Sequence, residues 1–143
     1  IDRQLEIGRR ALEEIKSPAD LVQGVLNAIE RWRSGSSDQM SAPLFLEISA
    51  EATRDPDIAA TVEEADTLIR NHLLDAMQRA TRSKAIYQDA RRSDARILLF
   101  MSVVEGLAVR SCRDPHLDRE MPEFALTKFI AALQRDGRET VDS

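Results

Sequence analysis

Residues 95–114 read ARILLFMSVVEGLAVRSCRD, and this stretch carries the clearest signal for the fold. On a helical wheel its apolar residues occupy two opposite sides instead of one. One side holds Ile97, Phe100, Val104, Leu107 and Ala108, and the other holds Ala95, Leu98, Leu99, Ser102, Gly106 and Val109. Because a helix that is apolar on both sides must be covered on both sides, we expect one of them to pack in the core of its own subunit.

The last predicted helix, residues 121–135, has the same two-sided pattern. Its core side holds Leu126, Phe129, Ile130 and Leu133, and its second side holds Met121, Phe124, Ala125, Lys128 and Ala132. Left uncovered, the second sides of both helices would form an apolar patch of the kind that marks association surfaces. Small residues at several of these positions would let another helix pair approach closely. We therefore predict a homodimer built on a four-helix bundle.

An alternative keeps the chain monomeric. In that case the second sides would be covered within one subunit, either by residues 84–91 or by the first helix.

The rest of the chain also has helical periodicity, which predicts an all-α fold. The predicted helices are 1–16, 18–33, 39–53, 56–83, 92–112 and 121–135, with a less regular connection at 84–91 and a polar, frayed tail at 136–143. Two helix starts have a clear chemical signature. Ser17 and Asp55 are capping residues, and each precedes a proline suited to the first helical position, Pro18 or Pro56.

Composition excludes several classes of protein. The 143 residues carry a net charge of −5, which argues against a bare nucleic-acid binder. The longest wholly apolar run, residues 97–101, is far below the ~20 residues that span a bilayer, so we predict no membrane association. A single cysteine, Cys112, excludes an internal disulfide and fits the cytoplasm. The length suits one domain.

No catalytic arrangement is evident. His72 and His116 are the only histidines, and only Asp75 near His72 could be a second metal ligand, so we predict no metal, no cofactor and no enzymatic activity. Cys112 has no histidine near it in sequence, and Gly35 stands alone among serines instead of in a phosphate-binding loop.

A ligand pocket between helices is the better hypothesis, because such pockets combine apolar lining with a few polar groups. The predicted lining is Trp32, Met40, Phe45, Ile48, Asp66, Ile69, Leu73, Phe100, Met101, Val104 and Glu105. The alternative for each of these residues is an ordinary place in the core. If Asp66 and Glu105 both point inward, a cationic or hydrogen-bonding ligand is favoured. If they pair with Arg70, Arg110 or solvent, their role is structural, and we favour this second interpretation.

Several strings resemble the tetracycline-repressor (TetR) family of regulators. Residues 44–56, LFLEISAEATRDP, resemble the segment that leads into a long helix in that family. Residues 95–114, with Glu105-Gly106 near the middle and Asp114-Pro115 at the end, resemble its next-to-last helix, where Asp-Gly is more usual than Glu-Gly. The closing helix with its polar tail also fits, so the resemblance covers nearly the whole chain.

The resemblance implies a one-component bacterial transcription regulator, more often a repressor than an activator. Residues 1–143 would be its ligand-binding and dimerisation domain, with a small, mostly apolar inducer. Residues 1–16 would belong to the helix that joins it to an N-terminal helix-turn-helix domain, missing here, through which operator DNA is bound. An all-α interaction adaptor without a small-molecule ligand is the alternative function.

Overall fold

The computed structural model describes residues 2–34, 41–80, 90–114 and 116–139. These ranges contain six α-helices and no β-strand, which confirms the predicted all-α class. In chain order the helices are α1 (Asp2–Glu13), α2 (Pro18–Ser34), α3 (Ala42–Ala52), α4 (Pro56–Ala80), α5 (Ala90–Arg113) and α6 (Glu120–Glu139).

Side-chain caps explain where two of the helices begin. The Ser17 hydroxyl accepts a hydrogen bond from the backbone N–H of Asp20 at 3.1 Å, immediately before α2. The carboxylate of Asp55 accepts one from the N–H of Asp57 at 2.9 Å, and Pro56 occupies the first position of α4. Both starts were predicted from the sequence, because a capping side chain satisfies a backbone donor that the helix itself leaves unpaired.

Several boundaries differ from the predicted ones. α1 ends at Glu13 instead of residue 16. α3 starts at Ala42 instead of residue 39, because Ser41 has an extended backbone and its hydroxyl caps the N–H of Leu44 at 3.2 Å. α5 starts two residues earlier than predicted, at Ala90. α6 continues to Glu139, so residues 136–139, predicted as frayed, are helical; Pro122 is the last proline in the chain, and none follows to stop the helix. The predicted connection at 84–89 and the end of the tail at 140–143 lie outside the described residues.

The core is built around α2. This helix contacts α4, α5 and α6, whereas α4 also contacts α1 and α3, and α3 contacts α5. The core side chains come from all three neighbours of α2 as well as from α2 itself. They include Leu21, Val22, Leu26, Leu73, Met77, Ile97, Phe100, Leu126 and Ile130. None of the described helices has the length and hydropathy needed to cross a bilayer.

Candidate functional site

The outer sides of α5 and α6 are open to solvent in the single chain. Leu98 is 69% exposed and Phe124 is 66% exposed, and Met121 is exposed to a similar extent. We call the eleven predicted residues of these two sides the outer face. Ten of them, Ala95, Leu98, Leu99, Ser102, Gly106, Met121, Phe124, Ala125, Lys128 and Ala132, are exposed, and Val109 is half-buried.

The inner sides of the same helices are buried, so the two-sided pattern predicted from the sequence is present. Ile97 and Phe100 of α5 and Leu126 of α6 are almost inaccessible to solvent. The monomeric alternative expects the first helix to cover the outer face. In the structure α1 packs along α4 instead. Residues 84–89, the other candidate cover, lie outside the described residues.

One detail of the outer face favours close approach by another helix, and a second concerns the Phe124 ring. A Cβ added at Gly106 would have no heavy atom within 4 Å, so the middle of α5 has open space beside it. The Lys128 ammonium group lies 5.5 Å from the centre of the Phe124 ring, an attractive cation–π arrangement that covers part of this ring.

The predicted ligand-lining residues lie on four helices that contact one another, α2, α3, α4 and α5. Leu73 and Phe100 are buried in the core, as the alternative interpretation expects. The half-buried ones are Trp32, Phe45, Ile48, Asp66, Ile69, Met101, Val104 and Glu105. Met40 lies outside the described residues. The structure thus brings two pairs of the predicted lining together, Trp32 with Phe45 and Asp66 with Glu105, and assigns two other members to the core.

Two of the predicted lining residues form an aromatic pair. The rings of Trp32 on α2 and Phe45 on α3 lie 5.4 Å apart between centroids, at an interplanar angle of 34°. This tilted contact joins two helices whose connecting residues, 35–40, lie outside the described part of the chain. Such pairs contribute packing area and a favourable ring geometry at little cost in side-chain entropy.

Two carboxylates on α4 and α5 form the polar part of the region. Asp66 makes an ion pair with Arg70 at 2.9 Å, which confirms the expected pairing of this residue. Glu105 makes no ion pair or hydrogen bond with the described side chains. Its pKa is raised, first by burial of the carboxyl group and second by the nearby negative charge of Asp66. The Asp66 carboxylate is therefore close enough to Glu105 to disfavour the charged form of Glu105.

Ile69 connects this region to the first helix. A Cβ added at Gly8 of α1 would lie 3.5 Å from the Ile69 Cδ1 atom, an ordinary van der Waals distance. At the end of α1, the Arg79 guanidinium group of α4 donates to the carbonyl oxygens of Leu12, at 2.7 Å, and Ile15, at 3.4 Å. These contacts make α4 the main support of α1.

Sequence reasoning missed several of these polar links. Neither Arg79 nor Arg119 was singled out from the sequence, although the Arg119 guanidinium group donates to Glu30, Gln23 and Asn27 of α2. No periodicity signals such long-range pairs. A groove of about 230 Å³ between α2 and α6 was also not predicted, and Pro18, Ala19, Val22, Gln23, Glu123, Thr127, Ala131 and Gln134 line it.

Two further omissions lie at the start of α5. Ser93 and Arg96 are buried polar residues. Each lies four positions before a core residue, Ile97 or Phe100, and this helical spacing indicates that they belong to the buried side of α5. Within the ranges that the structure describes, no three His, Cys, Asp or Glu side chains gather in a way that could hold a metal ion. Cys112 is a free, exposed thiol.

Comparison with known proteins adds no relative. No protein-family model, no curated protein and no solved structure matches the chain.

Proposed function

We propose that the chain is the ligand-binding and dimerisation domain of a bacterial transcription regulator of the TetR type, acting as a repressor in the cytoplasm. The single observation that carries this proposal is the exposed apolar outer face on α5 and α6, whose inner sides are buried. The motif resemblance at residues 44–56 and 95–114 supplies the rest of the proposal.

The outer face is suited to a second copy of the chain. Leu98, Leu99, Met121 and Phe124 are large apolar side chains on the two helices that also carry small residues, among them Ala95, Gly106, Ala125 and Ala132. Large exposed apolar patches are uncommon on monomers, and burying this one would stabilise an assembly in proportion to the apolar area removed from water. Two copies related by a twofold axis would bring the same helices together as a four-helix bundle.

The ligand would bind between α2, α3, α4 and α5. The half-buried side chains of Trp32, Phe45 and Val104 suit a small, mostly apolar molecule, and Asp66 and Glu105 add polar groups at one side. Because burial and the nearby charge of Asp66 disfavour the charged carboxylate of Glu105, a ligand that donates hydrogen bonds to Glu105 would offset part of this cost.

Regulation would be a shift between two arrangements of α1 and α4. The ligand can change their populations only by binding one arrangement more tightly than the other. Ile69 lies one turn after Asp66 and meets α1 at Gly8, so a movement of α4 would be passed to α1 at this point. DNA would be bound by a helix-turn-helix domain joined to α1, as the resemblance implies.

An interaction adaptor is the second candidate function, because the same outer face could bind a different protein. Native mass spectrometry of the purified chain tests the regulator against this alternative. We expect a mass of two chains plus an additional small molecule that is lost under collisional activation. An adaptor predicts one chain and no added mass, and that result would remove the proposed function.

A second experiment tests regulation itself. The product of the whole gene is mixed with a DNA fragment from upstream of that gene, and binding is followed by fluorescence anisotropy. We expect binding in the absence of ligand and release when the molecule recovered from the purified chain is added. A matched variant, Asp66→Ala, is expected to need a different ligand concentration for release while keeping the far-ultraviolet circular dichroism of the wild type. An unchanged concentration for release would show that Asp66 is not in the ligand site.

A further inference from the structure

The groove between α2 and α6 is a cavity that the proposed function does not use. Its volume is about 230 Å³, which exceeds the roughly 150 Å³ of a protein cavity that holds benzene. Only residues of α2 and α6 line it, whereas the proposed ligand would bind between α2, α3, α4 and α5. None of the lining residues belongs to the outer face, so the proposed dimer interface does not include them.

Part of the groove is apolar and built from small side chains. The apolar lining residues are Pro18, Ala19, Val22 and Ala131, and Val22 belongs to the core of the chain. The groove therefore offers a small apolar surface to the body of a ligand. Ligand sites usually combine such a surface with a few polar groups that fix the orientation of the ligand.

The single charged side chain among the lining residues is Glu123. The Arg119 guanidinium group donates to the Gln23 Oε1 atom at 3.0 Å, and Gln23 Nε2 in turn donates to the Glu123 Oε1 atom at 3.3 Å. Because a guanidinium group can only donate, this chain of hydrogen bonds fixes the Gln23 amide with its NH₂ group toward Glu123. The other carboxylate oxygen, Oε2, accepts no hydrogen bond from the described residues, and Glu123 makes no ion pair with them.

The Thr127 hydroxyl group is a second acceptor in the groove. Its hydrogen is donated to the backbone carbonyl oxygen of Glu123 at 2.8 Å, so the lone pairs of Oγ1 remain for a ligand. Gln134 adds an amide whose oxygen can also accept. The groove thus presents one negative charge and several acceptor oxygens beside an apolar surface, and this combination suits a cation with several N–H donors.

We propose that this groove binds a small primary ammonium ion whose apolar body is about the size of a benzene ring. The ammonium group donates to Glu123 Oε2 and Thr127 Oγ1, and the apolar body lies against Val22 and Ala131. An ammonium group is favoured over a neutral donor because hydrogen bonds to an ionised partner are about twice as strong as neutral ones. The site is separate from the proposed ligand region, so the inference does not depend on the proposed function.

Three probes with one ring and different head groups test the charge of the site. Benzylamine, benzyl alcohol and benzoate are titrated into the nitrogen-15-labelled chain, and the backbone amide shifts are followed by NMR. We expect saturable benzylamine shifts within residues 18–23 and 123–134, with an affinity about tenfold above that of benzyl alcohol. Benzoate should bind more weakly than either, because the Glu123 carboxylate repels it.

Two glutamate variants in the first turn of α6 locate the ammonium group. Glu123→Gln keeps the shape of the side chain and removes its charge, so it should lower the benzylamine affinity about tenfold, to that of benzyl alcohol, and leave alcohol binding unchanged. Glu120→Gln is the matched control, because it removes the same charge from the same turn at a position that does not line the groove. This control should bind benzylamine like the wild type.

A larger side chain in the groove tests the apolar part of the site. Ala131→Leu should abolish the binding of both benzylamine and benzyl alcohol, because the added side chain occupies the space of the ring. Ala60→Leu, at an exposed position of α4, is the control and should bind both probes like the wild type. Far-ultraviolet circular dichroism should be the same for all four variants.

Each remaining outcome overturns the inference. Absence of saturable benzylamine shifts, or shifts centred elsewhere in the chain, would show that the groove is not the site. Equal benzylamine affinity for Glu123→Gln and Glu120→Gln would put the ammonium group away from Glu123. A preference for benzoate would assign the groove to anions at the N-terminus of α2. These failures are distinct from failure of the proposed function, which is judged by the mass of the purified chain and its bound molecule.

Discussion

The inner and outer sides of α5 and α6 both carry large apolar residues, but the two sides lie in opposite environments. On the inner side, Phe100 and Leu126 are almost completely buried, whereas on the outer side Leu98 and Phe124 are mostly exposed. The core needs only one apolar side from each helix. The second apolar side stays exposed among the described residues, and the proposed association would cover it.

The largest contrast is expected between two neighbouring positions of α6. Leu126→Ala should lower the free energy of unfolding by about 2–5 kcal/mol, because it leaves a cavity in the core. Phe124→Ala should instead act on association. In urea denaturation followed at several protein concentrations, the wild-type midpoint should rise with concentration, and the Phe124→Ala midpoint should not. If Phe124→Ala destabilised the chain equally at all concentrations, the ring would be a folding contact and not an interface contact.

Substitutions at Gly106 should separate helix stability from association. Gly106→Ala is expected to stabilise the isolated subunit by up to ~1 kcal/mol, since nothing lies near an added Cβ and alanine favours the helix. Gly106→Leu should raise the dimer dissociation constant about tenfold or more by blocking close helix approach. Ala60→Leu, at an exposed position of α4, is the control. Equal dissociation constants for Gly106→Leu and the control would exclude the middle of α5 from the interface.

Much of this organisation could be predicted from the sequence, because it depends on local chemistry. Ser17 and Asp55 are caps beside prolines, and helical spacing sorts the residues of α5 into two sides. The start of α3 was predicted incorrectly, because hydrophobic spacing does not show which of several polar residues, such as Ser41, will be the cap. The buried state of Ser93 and Arg96 was also missed, since polar residues at a helix start are ordinarily exposed. Arg79 and Arg119 bind partners far away in the chain, which periodicity cannot indicate.

The smallest effect is expected at Glu105, which lies at the boundary between the two sides of α5. Its raised pKa means that the charged carboxylate is disfavoured in the folded chain. Glu105→Gln should therefore stabilise the chain at neutral pH. The gain is complete above the raised pKa and disappears as the pH falls through the ordinary value of 4.5, where the carboxyl group is protonated in both folded and unfolded chains. Urea denaturation across this range measures it, and a gain that persisted at acidic pH would contradict the assigned cause.

Sedimentation equilibrium of two matched leucine variants tests the account most directly. Leu99 on the outer face is 49% exposed, and Leu46 on α3 is 47% exposed, so the two differ in place and not in exposure. At micromolar concentrations the wild type and Leu46→Ser should have the mass of a dimer, and Leu99→Ser should have the mass of one chain with unchanged helix content. A wild-type chain that sediments as a monomer, or two variants that behave alike, would contradict the dimer on which the account depends.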